Sequence, residues 1–498
     1  MNPTERQRRR ETGLLLCLIV LLAACGAPQS TAPTPVSPST PAFPTPAAIF
    51  TPLPTRPPFG PGELVDYVAQ NGDTLPALAA RFNTTEAEIR TANPIIPQNA
   101  STMPPGMPMK IPIYFKALWG NPYQILPDSL FINGPDQVDF DITAFVNSQP
   151  GWFKNYIGQL GDGPRSGAEI VKLVSTNFSV SPRLLLAMLE YYSQALSNPN
   201  TPNTEYLLGY NDQFHAGVYM QLVWLANILN NGYYGWRRGA LIEFEHPDGR
   251  IERPDPWQNA ATVSLQFVFA QQYSSPQYDQ MTGPGGLAQT YKVLFGDPWQ
   301  NGATTNSVTP FIPGSLTQPT FTLPFERGKS WNYTGGPHTG WGKGEPYAAI
   351  DFAPNGVAEC GLSNDWVTAM APGVIARSEV DGTMLDLDGD GDERTGWDIF
   401  YLHLATIDHI PAGTKVNTGD RIGHASCEGG EVTGTHVHIA RKYNGEWILA
   451  DSPVPFVMEG WAVHDGSTAY QGFLKRFSQT VTASDKGEGK SLITSSQQ

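Results

Sequence analysis

Charge is scarce in this 498-residue chain. Only 15 % of its residues are charged, and the basic ones are the minority, 31 against 46, giving a formal net charge of −15 at pH 7. That balance argues against nucleic acid as a partner, because phosphate binding needs a basic surface. Cysteine is scarcer still, with four in the whole chain. What is plentiful is Gly (50) and Pro (45), beside 40 % hydrophobic and 11 % aromatic residues. This is enough apolar material for real cores, in a chain too long for one ordinary domain, so two to four units are expected. The Gly and Pro content points to loop-rich extracellular material rather than a cytosolic helical enzyme.

The first residues carry an address. Arg6, Arg8, Arg9 and Arg10 precede an apolar run, Gly13 to Ala24, that is too short to span a bilayer comfortably. The run ends in Leu22-Ala23-Ala24-Cys25. This resembles a lipobox, the cleavage site of bacterial lipoproteins. The resemblance implies a signal peptide over 1–24, a lipid on Cys25, and an exported protein held at a membrane surface facing the cell wall. Residues 25–62 are rich in Pro, Thr, Ser and Ala and read as an extended tether. Cys17 leaves with the signal and Cys25 is taken by lipid. Cys360 and Cys427 remain, and in an oxidising compartment they read as one disulfide, with two free buried thiols as the alternative.

Residues 63–114 form a small unit. Tyr67-Val68-Ala69 reads as a strand, and Leu75, Leu78, Ala79 and Phe82 share one face of a helix. Thr85 and Glu88 make a capping box for a second helix, and Met107–Ile113 returns as a strand. This βααβ pattern, YVAQNGDTL through MPPGMPMKIP, resembles a LysM domain. The resemblance implies binding of glycans such as peptidoglycan, on the loop Gly72, Asp73, Thr74 and Leu75 and on Asn93–Ile96, with Ile95 among the contacts.

Residues 115–300 read as mostly helical, from stretches such as Pro182–Leu196 and Gly217–Leu229, with a Tyr/Trp-rich middle (GYYGWRRG). A faint resemblance to lysozyme-like transglycosylases would make Glu190 a general acid. The plainer reading is a helical wall-binding or spacer domain. Residues 301–320 read as a second linker.

Seven of the nine His lie beyond that linker. In Thr435-His436-Val437-His438, a strand would put both imidazoles on one face. Ala348–Phe352 reads as a buried strand holding Asp351, and a buried carboxylate is costly unless paired or bound to metal. His338 sits in a Gly-rich loop, and Tyr401 and His403 share a face of another strand. A catalytic zinc takes three N/O ligands and keeps one open position. His338, Asp351 and His438 supply that set, leaving His403 and His436 as imidazoles able to move a proton or meet an oxyanion.

The order GGPHTGW, AAIDFAP, VTAMAPGVIARSE, FYLHLATI, IPAGTKVNTGDRIGHAS, TGTHVHIARK resembles an M23 (lysostaphin/LytM-type) metallopeptidase. Tyr347 stands where the short His-x3-Asp motif has His, so the spacing resembles the β-lytic/LasA-like branch, which uses the distant His. The resemblance implies an antiparallel, duplicated-hybrid-motif-like β-sheet domain over 321–478 and one zinc on His338, Asp351 and His438. It makes His403 and His436 catalytic, with Tyr401 expected at the substrate. It also implies action on peptidoglycan cross-bridges and sometimes on Gly-rich protein. Residues 479–498 read as a disordered tail. Asp386 to Asp392 resembles the start of a calcium loop, but Trp397 stands where the loop's closing Glu belongs; an acidic hairpin tip is the plainer reading.

The whole reads as a multidomain, lipid-anchored zinc endopeptidase of cell wall. The alternatives are an inactive M23-like wall-binding protein or activator, a glycan-cleaving enzyme using Glu190, and a secreted protease outside wall metabolism.

Overall fold

The computed structural model describes residues 56, 58–116, 118–301, 310–357, 359–487 and 489–496. The leader, Cys25 and the tether up to residue 55 lie outside them. Among the described residues no helix is long and apolar enough to cross a membrane.

In the first module β1 (Glu63–Val68) and β2 (Pro108–Ile113) pair antiparallel, with Glu63 opposite Ile113. Between them α1 (Leu75–Arg81) starts at Thr74, whose hydroxyl accepts from Ala77 N. Next, α2 (Glu86–Ala92) starts at the Thr85/Glu88 capping box. Leu75, Leu78, Phe82, Ile89 and Ile111 fill the core.

The expected glycan loop is largely committed to this packing. Asp73 is buried; its carboxylate accepts from Tyr67 Oη at 2.5 Å, Gln70 N at 2.7 Å and Arg81 Nη1 at 2.9 Å. A buried acid needs such partners, so the Asp73 carboxylate is an anchor of the fold. Leu75 is likewise core, and Thr74 is a helix cap. Gly72 lies against the Arg237 guanidinium. Ile95 alone of the five is well exposed, at 80 %.

The middle region is helical, built on α3 (Gly167–Phe178), α4 (Pro182–Ser193), α5 (Val218–Arg237) and α6 (Ala260–Ala270). Ser166 with Glu169 and Ser181 cap the first two. Almost every residue of α6 is buried, as suits a helix at the centre of a bundle. Glu190 is no free acid. Its carboxylate accepts from Leu196 N at 2.7 Å, Ser197 N at 3.2 Å and Ser197 Oγ at 2.5 Å, closing the turn after α4.

The last region is built on nine antiparallel strands. They include β3 (Ser330–Thr339), β4 (Tyr347–Pro354), β5 (Gly373–Glu379), β6 (Gly382–Asp386), β7 (Trp397–Leu402), β8 (Lys415–Val416), β9 (Val437–Tyr443) and β10 (Glu446–Trp447). Their order is β8-β5-β6-β7-β9-β4-β3, closed at the edge by Leu492–Thr494, with β10 beside β9. Both faces of this sheet are covered. Ile350, Ile399, Tyr401 and Ile439 face the domain's own core, whereas Ala349, Met384, Phe400, Leu402 and Ala440 join the core of the helical region. Double burial explains why all six positions of β7 are buried and why Ile399–Leu402 reads as an unbroken apolar run.

Two expectations are corrected. The described residues of 479–498 are not a disordered tail: Gln479–Thr482 edges a four-stranded sheet and Leu492–Thr494 pairs with β3, burying Val481 and Ile493. Of the linker 301–320, residues 302–309 lie outside the described ones, and the remainder is packed. Ile312 and Leu316 are buried, Ser101 Oγ donates to Leu316 O at 2.8 Å, and Ser315 N donates to Thr102 O at 2.9 Å.

The described regions form one compact unit, and α5 is one place where they meet. Arg237 donates to both oxygens of Glu446 in β10, at 2.8 and 3.1 Å, and also to Asn71 O in the first module. Arg81 Nη2 donates to Trp236 O at 3.2 Å, and Trp447 N donates to Tyr234 Oη at 3.0 Å. Both partners of the ion pair are buried. Removing one side strands the other, at a cost of about 3–5 kcal/mol. Arg237→Met is therefore expected to lower stability to urea by about that much, and Arg237→Met with Glu446→Leu by much less. Equal loss in the single and double variants would refute the pairing argument.

Candidate metal centre

Three strands deliver the centre. His438 on β9 stands directly opposite Asp351 on β4, so the two share a face. His338 near the end of β3 pairs with Ala349, and register shifts on either side of Gly335 turn its ring toward them. Gly335 has a specific reason to be Gly: a Cβ there would fall 2.3 Å from Asp351 Oδ2. The donor atoms converge. His338 Nε2 is 3.0 Å from His438 Nδ1 and 3.3 Å from Asp351 Oδ1, and His438 Nδ1 is 3.2 Å from Asp351 Oδ1.

The far side of each ring explains this convergence. His338 Nδ1 donates to Gly336 O at 2.8 Å, and His438 Nε2 donates to Gly340 O at 3.1 Å. With their protons committed to those carbonyls, both rings turn bare lone pairs toward a buried carboxylate oxygen that has no hydrogen-bond donor. Three acceptors facing one another require a cation. N and O ligands about 2.0–2.1 Å from a tetrahedral zinc stand roughly 3.3 Å apart, which the observed separations match. Burial alone would raise the Asp351 carboxyl. The imidazoles of His338 and His436 beside it outweigh that and hold it well below its usual range.

His403 and His436 flank the cluster. His403 follows β7 with a left-handed backbone, φ 66°, and its Nδ1 donates to Glu428 O at 2.8 Å. His436 Nδ1 donates to Gly434 O at 2.7 Å, and its Nε2 is 3.8 Å from Asp351 Oδ1. Their rings are 4.6 Å apart. Burial, then the neighbouring His436 and His438, push the His403 imidazole down to about 3, so it is neutral near pH 7. Burial likewise lowers His438.

Cys360 and Cys427 are joined in a disulfide, and the residue after Cys427, Glu428, supplies the carbonyl that orients His403. Tyr401 is not in the cluster. Its ring is fully buried on the opposite face of the sheet, where its Oη accepts from Met370 N at 2.9 Å. The positive φ at His403 breaks the alternation that would have put the two on one face. A residue unforeseen in the sequence takes a place at the rim instead. Tyr470, 58 % exposed, stacks on His338 at 4.1 Å between ring centroids, and nothing local in the sequence ties it to that ring.

The acidic tip places carboxylates of Asp386, Asp388 and Asp390 within 4.8 Å of one another. The Asp386 carboxylate, however, already accepts from Asp388 N at 2.9 Å, Gly389 N at 3.1 Å and Gly391 N at 2.7 Å. The loop is thus folded around its own acid, and nothing further supports calcium there.

Two imidazoles and a carboxylate converging as acceptors, flanked by two further imidazoles, fit the donor set of a zinc hydrolase. Residues 67–112 match the family described as LysM domain, and residues 124–309 match the family described as LasA, N-terminal domain. The chain is 26 % identical over 341 residues to protease LasA of Pseudomonas aeruginosa, covering 65 % of this chain and 74 % of that protein. It is 28 % identical over 172 residues to the beta-lytic metalloendopeptidase of Lysobacter enzymogenes, covering 33 % of this chain and 88 % of that one. Among solved structures, the deep-sea M23 metalloprotease pseudoalterin is 26 % identical, covering 34 % of this chain and 96 % of that one at a TM-score of 0.29. The chain thus resembles the LasA-like metalloendopeptidases, and residues 67–112 add a LysM match to that likeness.

Because Tyr401 serves the core alone, Tyr401→Phe is expected to cost about 1–3 kcal/mol by orphaning Met370 N, with kcat/KM of the folded enzyme unchanged. A drop in kcat/KM beyond about threefold, at temperatures where the variant is fully folded, would return Tyr401 to the site.

Proposed function

We propose that the protein is an exported, lipid-anchored endopeptidase that hydrolyses peptide cross-links of bacterial cell wall. The observation that carries this reading is the buried meeting point of His338 Nε2, Asp351 Oδ1 and His438 Nδ1. These three atoms would hold the zinc. Bound there, zinc supplies Lewis acidity toward a scissile carbonyl and makes water a usable nucleophile near neutral pH.

The chain's own groups do the rest. His403 and His436 each spend one ring proton on a backbone carbonyl and present a bare Nε2 to the site. Either can accept the proton of the attacking water, and the imidazolium so formed donates to the developing oxyanion or the leaving amine. Burial of His403 keeps it from being protonated in advance. Tyr470 forms a wall beside His338, where an extended peptide strand would lie. Attachment comes from two further parts. The LysM module contributes glycan affinity through its exposed side, Ile95 included, and the lipid on Cys25 with the tether 25–62 holds the enzyme at the membrane surface.

Purified peptidoglycan digested by the full chain is expected to release new free amines. A chelator, or His438→Ala, should reduce that release at least a hundredfold. Amine release untouched by chelation would end the zinc mechanism. Sugar reducing ends without amines would favour a glycan-cleaving enzyme, and wall binding with neither product would favour an activator. For the anchor, Cys25→Ala should move the protein from the membrane fraction to the soluble one; unchanged partitioning would remove the lipid.

A further inference from the structure

The loop between β3 and β4, Gly340–Pro346, lies beside the centre, and one of its backbone atoms acts on it. Gly340 O accepts the Nε2 proton of His438 and so decides that His438 turns Nδ1 toward Asp351 and His338. The loop is Gly-rich, with Gly342 and Gly344 at φ +85° and +89°. Such a segment has many conformations to lose before one carbonyl is held in place.

The helical region holds it. Asn227 Oδ1 accepts from Lys343 N at 2.7 Å, and Asn231 Oδ1 accepts from Glu345 N at 2.6 Å. Asn227 and Asn231 are neighbours one turn apart on α5, roughly 5–6 Å between Cβ atoms. Asn227 Nδ2 donates to Val223 O at 3.0 Å, which fixes the oxygen end of the amide toward the loop. The fit is mutual. A Cβ on Gly342 would fall 2.3 Å from Asn227 Oδ1, and one on Gly344 would fall 2.1 Å from Asn231 Oδ1. Just past the helix, Arg238 Nη2 meets Glu345 Oε1 at 2.7 Å. Trp341, inside the loop, packs edge-on to Phe178 of α3 and Phe400 of β7, whose ring is 6.2 Å from that of His438.

We infer that Asn227 and Asn231 are positioning residues of the metal centre. The helical region, through two carboxamides, fixes the loop whose Gly340 carbonyl orients the ligand His438. This rests on the assignment of His338, Asp351 and His438 as ligands. Removing a group that orients a metal-ligating His typically lowers metal affinity 10–100-fold. The consequence is that the helical region contributes to metal retention while lying outside the donor set.

The test is zinc affinity, measured on the full chain by competition with a chromogenic chelator, beside thermal unfolding of the same samples. Asn227→Ala with Asn231→Ala is expected to weaken zinc binding about tenfold or more. Asn227→Asp with Asn231→Asp keeps both acceptor oxygens and is expected to restore affinity to within about threefold of wild type. Wild-type zinc affinity in the folded alanine pair would overturn the inference, whether its melting temperature falls or not. So would equal weakening in the aspartate pair, because the acceptors would then be irrelevant. If the wild-type chain retains no zinc, the ligand assignment itself fails, and this outcome is distinct from the other two.

Discussion

Everything at the centre depends on where four protons sit. His338, His403, His436 and His438 each give a ring proton to a backbone carbonyl: Gly336, Glu428, Gly434 and Gly340 respectively. Each then turns its other nitrogen inward. Without those carbonyls the imidazoles could donate to Asp351 and satisfy it, and the site would be a hydrogen-bonded cluster with no need of a cation. The backbone carbonyls therefore define the metal site as much as the donors do. This is why the surrounding loops are so constrained: a disulfide one residue before Glu428, Gly335 cleared of any side chain, and Tyr470 laid against His338.

The second constraint is that the catalytic sheet is covered on both faces. One face closes the domain's own core and the other is continuous with the helical core. The helical region is thus part of the enzyme's interior. Helix α5 runs from the Asn pair at the β3–β4 loop to the buried Arg237–Glu446 pair and the edge of the LysM module. One helix thereby connects all three regions.

Much of the centre was legible in the sequence because each donor sits in its own short motif with a local reason: a carboxylate in an apolar strand, an HxH on a strand, a His after two glycines. The M23 and LysM resemblances agree with the relatives found. What misled was local geometry or distance in the chain. Tyr401 was placed by strict alternation, which the left-handed residue His403 ends. Asp73 looked like a polar loop residue, and only the folded module shows Arg81 and Tyr67 closing on it. The tail was read as disordered because three- and four-residue strands carry too little periodicity to be seen. Tyr470, Glu446 and the two Asn of α5 act across long separations, and no pattern near them announces their partners.

The shared apolar face has a further meaning for the catalytic region taken alone. Phe400, Leu402, Met384 and Trp447 are buried here because helices lie over them. Severed from those helices, the sheet would present a contiguous greasy surface to water, of the kind that soluble proteins seldom leave bare. A liberated catalytic fragment would therefore be adhesive, drawn to whatever apolar or aromatic material lay nearest, unless its strands were resurfaced. In this chain the guard against that fate is covalent continuity.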